Sequence, residues 1–62
     1  MRLTIHENFI LDIEVKDSGD KKTLEFYQTF PNAQNPRKHR VLQLTLAPAA
    51  LRAIAHFIKE QA

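Results

Sequence analysis

Arg37-Lys38-His39-Arg40 places three fixed positive charges and an imidazole in four consecutive positions. Lys21-Lys22 forms a second, shorter basic pair. Cations clustered this way suit a polyanion, and the aromatic rings of Tyr27 and Phe30 suit stacking on bases. Single strands are bound without sequence preference by that combination, each stacked base contributing about 1–3 kcal/mol. Lys21, Lys22, Tyr27, Phe30, Arg37, Lys38 and Arg40 are therefore the candidate nucleic-acid-binding residues, with single-stranded DNA or RNA the expected partner. The plainer reading makes Arg37 to Arg40 a solvated loop and Phe30 a core residue.

Other chemistries find little support. His6, His39 and His56 are scattered, with no pair at the i, i+4 spacing of helical metal ligands, so no metal is expected. Asp12 and Glu14 lie two apart, a spacing that an exposed strand face explains without catalysis. The chain has no Cys, a single Ser (Ser18) in an expected turn, and no glycine-rich phosphate loop. A protein that is not an enzyme and needs no cofactor is expected. Against the nucleic-acid reading, Asp12, Glu14 and Glu25 share an outward phase, where carboxylates repel phosphate. They could pair with Lys16 or Arg2 across strands. Alternatively, that sheet face is a protein-interaction surface for a basic partner.

The elements that must position these residues follow from periodicity. Leu3 and Ile5 alternate with Arg2, Thr4 and His6, predicting a short strand before a turn at Glu7-Asn8. Phe9, Leu11, Ile13 and Val15 alternate with Ile10, Asp12, Glu14 and Lys16, predicting a second strand with one buried face. Asp17 to Asp20 reads as a turn, with the only glycine, Gly19, where a positive φ is wanted. A third strand runs from Thr23 to Phe30, with Leu24 and Phe26 on one face, Gln28 and Phe30 in the same phase, and Glu25, Tyr27 and Thr29 on the other. Pro31 to Pro36 reads as a loop. Alternation returns from His39 to Leu46, with Leu42, Leu44 and Leu46 against Val41, Gln43 and Thr45. Pro48 suits a first helical turn, and Leu51, Ile54, Ala55 and Ile58 follow at i, i+3, i+4 and i+7, with Phe57 widening the stripe. Ala47 is a poor N-cap. The expected architecture is one α+β domain over residues 1–62, a four-stranded antiparallel sheet followed by one C-terminal helix (β-β-β-β-α).

Sixty-two residues, 44% hydrophobic and 26% charged, make one ordinary small domain with a net charge of +2. The first residues alternate instead of forming a signal-peptide core, and no apolar run nears the ~20 residues of a membrane span, so a cytoplasmic protein is expected. Folding buries about 6,000 Å² by area scaling, worth about 90 kcal/mol if some 60% is apolar. Ordering the chain costs about the same. Further, one helix about 10–12 Å across cannot cover four strands spanning roughly 15–19 Å. Both arguments lead to a homodimer.

Leu24-Glu25-Phe26-Tyr27-Gln28-Thr29-Phe30, the basic proline-containing arm from Pro31 to Arg40, and Leu44-Thr45-Leu46-Ala47-Pro48-Ala49-Ala50-Leu51-Arg52-Ala53-Ile54 together resemble the positive cofactor four family of transcription coactivators and its bacterial and phage relatives. The resemblance covers roughly residues 24–58. It implies a dimer whose helices pack together, making Leu51, Ile54, Phe57 and Ile58 the candidate interface, with the sheets presented to single-stranded nucleic acid. The function expected with it is holding melted DNA during transcription, replication or recombination in a bacterial or phage setting, with nucleoid association if the protein binds DNA. Phe30 stands where that family carries a large aromatic. Leu42 and Gln43 stand where it commonly has a basic residue and a glycine, so no contact role carries over to them.

Overall fold

Each alternating stretch forms a strand, and the stretch with helical spacing forms a helix. The computed structural model describes all 62 residues. It contains β1 (Arg2–His6), β2 (Phe9–Ser18), β3 (Lys21–Thr29), β4 (His39–Leu46) and α1 (Pro48–Gln61). The sheet is antiparallel, in the order β1-β2-β3-β4. Met1 extends the first ladder, its ammonium donating to the Ile13 carbonyl and its own carbonyl accepting from the Ile13 N–H, both at 2.8 Å.

Three local details depart from a pure period-two reading. The β2–β3 turn is shorter than Asp17 to Asp20: Asp17 and Ser18 stay in the ladder opposite Lys22 and Lys21, leaving Gly19-Asp20 as the turn. Gly19 has φ +65°, and no other residue has positive φ, which is the pattern of a II′ hairpin with glycine first. Strand β3 stops at Thr29, so Phe30 lies outside it, ahead of Pro31. Finally, β4 carries a bulge. Phe26 faces Leu42 while Tyr27 faces Arg40, leaving Val41 as the extra residue.

Helix α1 starts without a side-chain cap at Ala47, which is extended (φ −60°, ψ 146°), and Pro48 occupies the first turn. The apolar stripe of α1 turns toward the apolar face of the sheet, which it approaches chiefly at β3. The two do not close on each other. An open apolar groove of about 380 Å³ runs between Ile13, Leu24 and Phe26 of the sheet and Leu51, Ile54 and Ile58 of the helix. No hydrophobic residue of the chain is buried; the buried residues are Asp12, Thr23 and Glu25. Leu3 and Ile5 on β1, Val15 on β2 and Leu42 and Leu44 on β4 remain exposed.

The single chain is accordingly a slab, 40 × 29 × 14 Å. Its radius of gyration is 13.7 Å, against about 10.6 Å for a compact domain of this length. It exposes 4913 Å², against about 4,100 Å² for a folded monomer of this mass. No helix of the chain is long and apolar enough to cross a membrane.

Candidate nucleic-acid interface

Because α1 takes the apolar side, the other side of the sheet has no covering element, and its polar residues are ordered by register. Across β2 and β3, Asp12 stands opposite Tyr27, Glu14 opposite Glu25, and Lys16 opposite Thr23. Arg2 on β1 faces Asp12. On β4, Gln43 faces Glu25 and Thr45 faces Thr23, whose hydroxyls lie 3.1 Å apart. The bulge at Val41 turns Arg40 to this same side, where simple alternation would have sent it with Leu42.

Two of the three carboxylates lie beneath cations. Arg2 donates through Nε and Nη2 to the two oxygens of Asp12, at 3.0 and 3.4 Å. That guanidinium holds the Asp12 carboxyl below its ordinary pKa, against the opposing effect of burial. Glu25 is the most buried residue of the chain. Its Oε2 accepts from Arg40 Nη1 at 3.2 Å and from Gln43 Nε2 at 3.4 Å. Its Oε1 has the Lys16 ammonium at 2.8 Å but no hydrogen bond of good angle, so charge rather than direction holds that contact. The neighbouring ammonium keeps the Glu25 carboxyl below its ordinary pKa, and Lys16 is raised in return. Glu14 is more accessible, with Lys38 at 3.6 Å and Lys16 at 3.8 Å. The expectation that Asp12, Glu14 and Glu25 line the face with outward negative charge is thus corrected: Asp12 and Glu25 form a buried layer, and the cations stand above it.

The seven candidate residues divide. Tyr27, Lys38 and Arg40 come together on the polar face, with the Lys38 ammonium 4.5 Å from the centre of the Tyr27 ring. That cation–π contact occupies a ring face that a base would need, so stacking there requires Lys38 to shift onto phosphate. Lys21 shares the phase of Glu25 and Tyr27 and sits exposed at the hairpin end. Arg37 is exposed in the arm and has no ion pair. Lys22 is in the opposite phase and pairs with Asp17. Phe30 stacks on Phe9, ring centres 5.6 Å apart and 24° from parallel, and Phe9 in turn meets His6 edge-on at 6.0 Å. Phe9 shares the phase of Leu11 and Ile13, so Phe30 joins the apolar side. Tyr27 and Phe30 therefore do not form one stacking track, and Phe30 is not fully buried either.

Arg2 and Lys16 belong to the polar face as much as Lys38 and Arg40 do, although their residue types and spacing alone mark them only as pairing partners. Their phase was visible; the register that sets Lys16 beside Glu25 was not. On the other side, Leu51, Ile54 and Ile58 line the groove, while Phe57 is 63% exposed. Comparisons with family models, curated proteins and solved structures find no match to this chain.

Proposed function

We propose that this chain is one subunit of a homodimer that binds single-stranded nucleic acid on its polar sheet face, holding melted strands during transcription, replication or recombination. The observation that carries this reading is the layered charge of that face. Asp12 and Glu25 are buried, whereas Arg2, Lys16, Lys38 and Arg40 stand above them around Tyr27. A strand laid across would meet ammonium and guanidinium groups before the carboxylates of Asp12 and Glu25, leaving Glu14 as the one accessible acid of the face. Exposed Lys21 and Arg37 extend the basic surface at either end. The burial of Asp12 and Glu25 weighs against a protein-binding face that uses them to engage a basic partner.

The dimer is supported from the opposite side of the slab. The chain exposes about 800 Å² more than a monomer of its mass should, and an ordinary interface takes about 800 Å² from each partner. The excess is apolar in character, since Leu42, Leu44, Ile54, Phe57 and Ile58 are all exposed. A second copy seated on the groove and on α1 would supply the core that one chain lacks. Such an assembly belongs in the cytoplasm, with nucleoid association following from DNA binding.

The test is fluorescence anisotropy with a labelled single strand of roughly 20 nucleotides and its duplex, at low and near-physiological salt, with mass measured by light scattering. A dimer binding the single strand at micromolar concentration or tighter, and the duplex more weakly, is the expected result. A dimer indifferent to both would end the nucleic-acid reading and leave the assembly.

A further inference from the structure

Resting on the reading of the polar face as a nucleic-acid surface, we infer that Glu25 is a positioning residue of that surface: its buried carboxylate fixes Lys16 and Arg40 as phosphate anchors. A carboxylate under a phosphate-binding face is at first sight a liability. Its side chain, however, is 4% exposed, and Lys16 and Arg40 stand on its two oxygens at 2.8 and 3.2 Å. Gln43 shares Oε2 at 3.4 Å, fixing the rotamer of the acid. The two cations come from different strands, β2 and β4, and only β3 between them reaches both. Long side chains such as these lose rotamer freedom on binding, and that loss weakens affinity. Ordering them in the free protein removes part of that cost. Both cations keep more than half of their side-chain surface in solvent, 57% for Lys16 and 51% for Arg40, so each can still donate outward.

Glu14 provides the control. It stands directly across the strands from Glu25, carries the same charge and touches the same lysine at 3.8 Å, yet its side chain is 38% exposed. Glu14→Gln and Glu25→Gln each raise the net charge by one with little change in shape. Were the face a uniform field, both would tighten binding. With Glu25 as the anchor they act in opposite directions.

The experiment measures anisotropy of the labelled single strand with wild type, E14Q and E25Q at one fixed salt. E14Q is expected to bind about two- to fivefold tighter and E25Q about three- to tenfold weaker, despite equal charge changes. Wild-type binding with E25Q equal to or tighter than wild type overturns the positioning role and leaves the nucleic-acid reading standing. Absence of wild-type binding overturns the reading and the inference together. Side-chain NMR on the wild type covers the case in which E25Q does not fold. The Arg40 Nε–H group should be ordered on the nanosecond scale while that of the unpaired Arg37 is mobile. Equal mobility of the two overturns the inference.

Discussion

Glu14 and Glu25 face each other directly across β2 and β3, and the Lys16 ammonium lies between them, 3.8 Å from one carboxylate and 2.8 Å from the other. Like charges directly opposite in a sheet normally destabilise it. Here one lysine answers both, while Lys38 and Arg40 hold the outer sides of the pair. The face is therefore an alternating lattice of charge rather than a basic patch with stray acids in it.

Removing the bridge should expose the repulsion. Lys16→Met keeps much of the apolar stem of the side chain but leaves the two carboxylates opposed. A thermal midpoint lower by several degrees is expected, and adding Glu14→Gln should restore most of it. A double-mutant cycle measures the coupling; purely additive losses would mean that Lys16 does not bridge the pair.

The same pairs set the response to acid. The Asp12, Asp17 and Glu25 carboxyls are held below their ordinary pKa, chiefly by Arg2, Lys22 and Lys16 respectively. The unfolded chain thus binds protons before the folded one does, and stability rises with pH wherever that holds. These contributions are present in full above the ordinary carboxylate range and are lost as pH falls toward the lowered folded-state values. Urea midpoints measured from neutral pH down to about pH 3 should fall with acid. Asp12→Asn should flatten the decline, and a slope unchanged by that substitution would show the Arg2 pair to be irrelevant.

Much of this fold was legible in the residues because one signal, alternation, dominates: Phe9 to Val15 and Leu42 to Leu46 declare their faces, and Leu51 to Ile58 declare a helix. The bulge at Val41 left no such mark. It involves no glycine and arises from how β4 meets β3, so Arg40 came to the polar face unannounced. Burial of Glu25 was equally hidden, since it depends on Lys16, Arg40 and Gln43 converging from two other strands. The separation of Phe30 from Tyr27 was in fact visible as an odd difference in residue number; its significance emerged only with Phe9 stacked on it.

Two backbone positions give opposite expectations for stability. At Gly19 an added Cβ meets nothing within 4 Å, so Gly19→Ala acts through its φ of +65° alone, costing about 1–2 kcal/mol. Ala47 already has extended N-cap geometry but no side-chain acceptor, so Ala47→Ser should add about 1 kcal/mol. Urea unfolding of both variants checks the pair, and a neutral Gly19→Ala would mean the turn relaxes into another form.

Phe57 separates an isolated chain from a dimer. It is 63% exposed in the single subunit, where Phe57→Asp would change stability by no more than about 0.5 kcal/mol. Seated against a second copy, the same change places a charge in an apolar interface. Loss of the dimer by light scattering, with loss of folded signal, is expected because a lone chain buries no hydrophobic residue. The wild-type thermal midpoint should also rise with protein concentration. A concentration-independent midpoint together with a harmless Phe57→Asp would make the slab a stable monomer.

The basic arm is tested by salt. Each phosphate contact made to a single strand contributes about 0.7 to the slope of log affinity against log salt. Arg37 has no partner to leave, whereas Lys38 must give up Glu14 and the Tyr27 ring. Arg37→Ala should therefore take the larger share of affinity, and Arg37→Ala with Lys38→Ala should flatten the slope by up to about 1.4. Lys22→Ala, on the opposite side and paired with Asp17, should leave the slope alone. If Lys22→Ala flattens it and the arm variants do not, the strand runs over the apolar side and not across the lattice of Lys16, Lys38 and Arg40.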